Sequence, residues 1–361
     1  MAREAFAGPA VIAHRLRFPG RLLQPLCQFL VWALIDVHPP DRTDQRSTPN
    51  WRSRPVIDLS VTASIVGLDP GPAAALGAAF LWAFTSILFT AAGRNVAPAA
   101  TNLFKTVAAT LLFAVALFFR DGLPFDPHLD GQQLMLLALS GVVGLGIGDS
   151  FLFAAYQILG TRRGMLVQST HPVFGTVLAL FFFQELPTLL QFVGIAVVLG
   201  GIVLVLGDGH HRRKLEPGRR RRGLILGLMA GACQAIGALL AKEALIGADA
   251  FGATQIRVAG GAISLLIFAL LRGELRAWIR GLMQPSVLWR VSAASVLGPF
   301  LAVFLMLYSI QNAPIGVALT LLATAPIWLL PMGALLQKDH PTVHETLGVL
   351  VAISGIALLL R

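Results

Sequence analysis

The chain has 361 residues, of which 56% are hydrophobic and only 13% charged, and its mean hydropathy is +0.74. Soluble domains carry about 25% charged residues, so this chain lacks the polar side chains to cover a water-facing surface. Two cysteines far apart, Cys27 and Cys233, exclude a disulfide framework and a cysteine zinc site.

The net charge of +10 comes from arginines that flank apolar segments, with no basic stripe along one face. That distribution speaks for membrane orientation and contact with anionic headgroups, and against nucleic acid. The first part of the chain, residues 1–70, reads as an N-terminal extension. It holds eight arginines, from Arg3 to Arg54, and scattered prolines such as Pro39, Pro40, Pro49 and Pro55. Its apolar stretch from Leu22 to Val37 is short and interrupted by Gln24, Pro25 and Gln28. A spanning helix wants about 20 apolar residues. The stretch therefore stands open between a signal-like segment, an interfacial helix, an extra span over 18–37 and an early start codon.

From Pro72 onward, apolar blocks of spanning length alternate with short polar joints. The pattern predicts helices over 73–92, 99–119, 133–158, 164–183, 188–207, 223–245, 252–271, 287–311, 315–336 and 342–360. The blocks are too long for strands and lack the alternation of a barrel. The expected fold is an all-α polytopic membrane protein of ten transmembrane helices.

The chain also repeats itself. A shift of 154 residues lays Pro172 on Pro326, Pro187 on Pro341, Thr188 on Thr342, Gly194 on Gly348 and Gly201 on Gly355, with nine identities in the 35 positions from 172 to 206. Upstream, Gly144 meets Gly298 and Gln157 meets Gln311. Leucine-rich composition does not place prolines and glycines in register. The repeats are expected at 71–207 and 223–361, joined by a basic linker over 208–222. Five helices is an odd number, so the two halves should lie inverted in the membrane, as in secondary transporters. Duplication retained for stability alone is the plainer alternative.

The pattern Pro172, Gln184-Glu185, Pro187-Thr188, Gly194 and Gly201, recurring as Pro326, Lys338-Asp339, Pro341-Thr342, Gly348 and Gly355, resembles the EamA-domain family of the drug/metabolite transporter superfamily. The likeness covers 73–360. Gly148-Asp149-Ser150-Phe151-Leu152-Phe153, followed by Gly160, Arg162 and Arg163, resembles a subgroup with an acidic residue in the third helix. Lys338-Asp339 departs from the glycine-glutamate-like pair usual there. The resemblance implies a central cavity lined by helices of both repeats, a small-molecule cargo, and efflux by proton antiport in the cytoplasmic (inner) membrane. It leaves a homodimer open.

Leaving out Lys105, Arg257 and the N-terminal extension, Lys and Arg number 15 on the face of the first joint and 3 on the opposite face, which places the Arg-rich fifth joint in the cytoplasm and both ends of the ten-helix core outside. The family resemblance implies both ends inside. An eleventh span over 18–37 would reconcile the two.

Asp149 lies near the middle of the third helix, and its repeat counterpart is Val303. A charge at that depth is costly and is a functional candidate. It is expected to take a proton in exchange for substrate or to hold a cationic group; a protonated acid, or one paired with a base, is the plainer reading. Lys105, Lys242, Glu243 and Arg257 are expected to snorkel to headgroups, with a smaller share for contact with an anionic substrate. Ser150, Tyr156, Gln157, Ser169, Thr170, His171, Tyr308, Gln311, Thr320 and Thr324 are the polar and aromatic candidates for substrate contact or coupling. Serine and threonine often bond their own helix instead. Pro172 and Pro326 should bend their helices, and Gly144 and Gly148, with Gly141 and Gly146, should let helices approach closely.

No metalloprotease motif, nucleophile elbow or phosphate-binding loop occurs, so no enzyme, metal site or cofactor is expected. An intramembrane lipid-modifying enzyme and a non-transporting sensor or chaperone are the alternatives to a transporter.

Overall fold

The computed structural model describes residues 69–92, 96–207, 216–337 and 343–359. The extension over 1–70 lies outside the described residues except for its last two, as do the tentative span at 18–37, most of the basic linker and Lys338-Asp339. Every regular element among the described residues is helical. In chain order these are α1 Pro70–Ala92, α2 Pro98–Asp121, α3 Gly131–Leu159, α4 Thr161–Gln168, α5 His171–Phe183, α6 Leu189–Gly207 and α7 Pro217–Ala244. There follow α8 Ala250–Leu271, α9 Leu275–Leu282, α10 Pro285–Asn312, α11 Ile315–Leu322, α12 Ala325–Gln337 and α13 Val343–Leu359. Among the described residues seven stretches are long and apolar enough to cross a membrane, and three shorter apolar helices cover Leu189–Leu204, Ile315–Leu329 and Thr346–Leu358.

Local chemistry explains the boundaries. Proline opens α2, α7 and α10, where its missing N–H costs nothing. Asp130 and Gln133 form a reciprocal capping box at the start of α3, and Asp249 accepts the Gly252 N–H at the start of α8. Gly122, with φ +77°, ends α2. One helix escapes the sequence pattern: α9, read there as part of a joint. Eight residues cannot span a bilayer. It lies as an amphipathic element with Trp278 and Leu282 buried and Arg276 and Arg280 exposed.

The repeat is visible in the backbone. From α3 onward, element boundaries of the first half recur 154 residues later: α3 opens at Gly131 and α10 at Pro285, α4 ends at Gln168 and α11 at Leu322, α5 opens at His171 and α12 at Ala325. Even the irregularities match. A π-helical segment interrupts α3 over Val142–Gly148 and α10 over Val296–Ala302. Likewise the breaks at Ser169-Thr170 and Ala323-Thr324 occupy equivalent places, each two residues before a repeat proline, Pro172 or Pro326.

Packing interleaves the halves. The first helix of each repeat lies on the third and fourth of the other: α1 on α10, α11 and α12, and α7 on α3, α4 and α5. The equivalent helices α6 and α13 cross each other through glycine. A Cβ on Gly201 would lie 2.6 Å from the Ala352 nitrogen and 2.7 Å from the Gly348 oxygen, and one on Gly355 would lie 2.7 Å from the Val198 nitrogen and 3.0 Å from the Gly194 oxygen. As numbering rises along α6 it falls along α13, so this equivalent pair runs antiparallel. Gly201→Leu is expected to lower the unfolding midpoint in detergent by several degrees, for about 2 kcal/mol of overpacking. Gly200→Leu should be neutral, since that position faces open space. Equal effects of the two substitutions would remove the crossing as the reason for the glycine.

Candidate functional site

The site grows from the irregular turn of α3. In the π-helical segment the Asp149 N–H reaches back to the Gly144 oxygen, one residue further than in an α-helix. Carbonyls there lose their usual partners. Asn102 of α2 meets them: its Nδ2 donates to the Leu145 oxygen at 2.7 Å, with the Ser150 hydroxyl 3.2 Å away. Ser150 itself donates to the Gly146 oxygen at 2.6 Å. This arrangement holds Asp149 at the resumption of the α-helix, pointing at the centre of the bundle.

Lys105 lies one turn beyond Asn102 and points the same way. Its Nζ is 2.5 Å from Asp149 Oδ2, with the two side chains only 8% and 7% exposed. Gln234 of α7 donates from Nε2 to Asp149 Oδ1 at 2.9 Å. The Lys105 ammonium also lies 4.7 Å from the Phe153 ring centroid and 5.7 Å from that of Phe89, within cation–π range. So one carboxylate is shared by an ammonium and an amide, and the ammonium is flanked by two aromatic rings.

These groups line a cavity between the repeats, together with Trp82, Tyr156, Met165, Gln168, Ser169, His171, Val303 and Pro326. Both helix breaks reach its wall. Ser169 Oγ donates to the Met165 oxygen at 2.8 Å and stands 3.3 Å from the oxygen of Ala323, its own equivalent in the other repeat. His171 is buried, with Nδ1 2.9 Å from the Gln168 oxygen. Gly231 lets α7 come up to this break, since a Cβ there would lie 3.3 Å from the Gln168 oxygen.

Of the residues predicted from sequence, the structure therefore brings Asp149, Tyr156, Ser169, His171 and Pro326 to the cavity, with Ser150 just behind. Pro172 is buried at the start of α5. Gly144 faces the Arg257 side chain of α8, and Gly148 faces the Cys233 side chain of α7. Thr170, Thr320 and Thr324 lie off the cavity wall, each bonding a carbonyl of its own segment: Val167, Gly316 and Leu321. Gln157 is exposed beside Arg219 and Arg222 in a separate surface hollow. Tyr308 lies tilted against Phe304, with ring centroids 6.2 Å apart, and Gln311 donates to the Leu245 and Ala248 oxygens.

Lys105 and Arg257 correct the snorkelling expectation. Lys105 turns inward because Asp149 and two aromatic rings receive it. Arg257 is fully buried at 0% exposure, with Nη1 3.1 Å from the Gly237 oxygen; Gly144 of α3 leaves room for its guanidinium, and Gly141 lets the α8 main chain at Arg257 come up against α3. Lys242 pairs with Glu185, whose other oxygen accepts the Ile315 N–H at 3.0 Å, tying the two repeats at one end of the bundle. Glu243 is exposed. Asn102 and Gln234 carried no sequence signal of their own. Asn102, Lys105 and Thr106 do share a helical face, and that spacing was the available clue. Among the described residues no three His, Cys, Asp or Glu side chains converge on a metal-sized site.

A family model described as the EamA-like transporter family matches residues 69–207 and 221–361, once per repeat. The chain belongs to the EamA-like transporter family. Membership of the drug/metabolite transporter superfamily agrees with this. It is similar to two proteins of Archaeoglobus fulgidus, each named an uncharacterized transporter. One is 25% identical over 79% of this chain and 96% of its own length; the other is 22% identical over 77% and 93%. A crystal structure 16% identical in sequence covers 80% of this chain and 95% of its own, with a TM-score of 0.62, which establishes likeness of fold. This EamA-family chain is a multi-pass membrane protein of transporter type.

Proposed function

We propose that this EamA-family protein is a secondary active transporter that exports a small metabolite across the cytoplasmic membrane by alternating access, with protonation of Asp149 coupled to the cycle. The observation that carries the reading is the buried Lys105–Asp149 pair on the wall of a cavity shared by both repeats. Charges buried at that depth are costly and are kept where they act.

Taking the three shorter apolar helices as spans makes ten, five to a repeat, and the antiparallel α6–α13 crossing supports an inverted relation. Inverted halves can exchange conformations, which turns a cavity open to one side into one open to the other. The two paired breaks supply the hinges, and the Glu185–Lys242 tie at one end is a contact that must open when that end does. The proton acts at Asp149 because a neutral acid releases Lys105.

Comparative metabolite profiling of medium and cells, with the wild-type protein against empty vector, tests the reading. A compound that accumulates outside only with the wild-type chain is the expected result. Accumulation inside would reverse the direction. Identical profiles across metabolically distinct hosts would count against transport and favour a sensor.

A further inference from the structure

Three charged side chains are buried within the described spanning helices: Lys105, Asp149 and Arg257. The other buried carboxylate among the described residues, Asp126, belongs to the loop between α2 and α3 and accepts the His128 N–H there. Two cations thus face one anion. Lys105 takes it, and Arg257 is left with Nε and Nη2 unpartnered although no part of it reaches solvent. A cation so placed is expensive without a counter-charge.

The two cations are placed alike. Lys105 is the eighth residue of α2 and Arg257 the eighth residue of α8, and these are the second helices of their repeats. Asp149 is connected toward both. One carboxylate oxygen is on Lys105 and the other is on Gln234, whose own Oε1 has no partner. That oxygen and Arg257 Nη2 converge on Gly144, where a Cβ would lie 3.5 Å from the first and 2.9 Å from the second. The absent side chain leaves the way between them clear. Only Lys105 of the two cations opens on the cavity, flanked by Phe89 and Phe153.

We propose that the cavity takes a small organic monoanion, whose negative group replaces Asp149 on the Lys105 ammonium while the carboxylate passes by way of Gln234 to Arg257. With the anion bound, each buried cation faces one negative charge, and the surplus is gone. Asp149 is then the internal competitor that returns to Lys105 and expels the anion. Arg257 is a positioning residue that receives the displaced charge without touching the cargo. The aromatic wall suits an apolar body behind the charged group. An inside-negative membrane potential drives a monoanion outward, by about 2.3 kcal/mol per 100 mV, which agrees with export. The inference rests on the cavity being the transport site.

Thermal unfolding of the purified full-length protein in detergent, titrated with benzoate, benzamide and benzylamine, tests it. Benzoate should raise the midpoint while the neutral and cationic analogues do not. Asp149→Asn should bind benzoate about tenfold more tightly, and Arg257→Gln about tenfold more weakly with an unliganded midpoint no lower than wild type. Lys105→Gln combined with Asp149→Asn, which removes both charges and leaves neither stranded, should abolish the benzoate effect. Undiminished benzoate affinity in Arg257→Gln overturns the inference, as does a wild-type midpoint that benzoate does not move. A shift with benzylamine alone overturns the anion but leaves the transport site standing. Metabolite profiles equal to those of empty vector would instead bring down the transport reading itself.

Discussion

Asp149→Asn is expected to abolish export while leaving the folded protein intact. The substitution keeps the shape and the bond to Gln234, and it removes the charge that Lys105 now neutralises. Losing one partner of a buried charge pair costs about 3 kcal/mol, which is about a hundredfold in any step that depends on it. The loss falls on transport because the asparagine cannot compete for Lys105 or take a proton. Export in medium profiling should drop to the level of empty vector at unchanged expression, in a protein that still folds but melts a few degrees lower because Lys105 is left without its counter-charge. Undiminished export by Asp149→Asn would make the carboxylate structural.

Lys105→Met is expected to be the most damaging single change to stability at the site. Asp149 would then sit in the bundle with Gln234 as its remaining hydrogen-bond partner, and a stranded buried charge costs about 3–5 kcal/mol. In a chain of this size the midpoint should fall by about 5 °C or more. Adding Asp149→Asn to Lys105→Met removes the stranded charge, so the double variant should melt close to wild type while still failing to export. Such a recovery of stability without recovery of function separates the pair's two roles. If the double variant melts no higher than the single one, the cost lies in lost packing of the lysine stem against Phe89 and Phe153, and the charge argument fails.

The helices were legible because a bilayer permits few alternatives. Every backbone group must bond within its own segment, so apolar length alone marked the helices from 73–92 to 342–360. The repeat was legible through residues with backbone duties: Gly201 and Gly355 recur because each lets α6 and α13 touch at the main chain, and Pro172 and Pro326 recur because each follows a break. Asp149 stood out for the opposite reason, as a charge with no counterpart in Val303. Its environment was not legible. A lysine eight residues into a helix reads as a snorkelling side chain unless its partner, 44 residues on, is known. Arg257 depends on Gly144 of another helix for the space its guanidinium fills, and on Gly141 for the close approach of its main chain. Thr320 and Thr324 show the ambiguity from the other side, since both hydroxyls bond carbonyls of their own segment, the alternative that any serine or threonine in a helix leaves open. The amphipathic α9 was hidden by its charges, which are those of a joint.

The central claim is that one cavity is reached alternately from the two sides of the membrane. Ser169 lies on its wall, at the break where the repeats meet. With Cys27 and Cys233 replaced by serine and Ser169→Cys introduced, a membrane-impermeant thiol reagent should label the protein from outside in intact cells and from inside in inverted vesicles. Labelling from both sides is the result that alternating access predicts. Labelling from one side only, under conditions that support export, would contradict it.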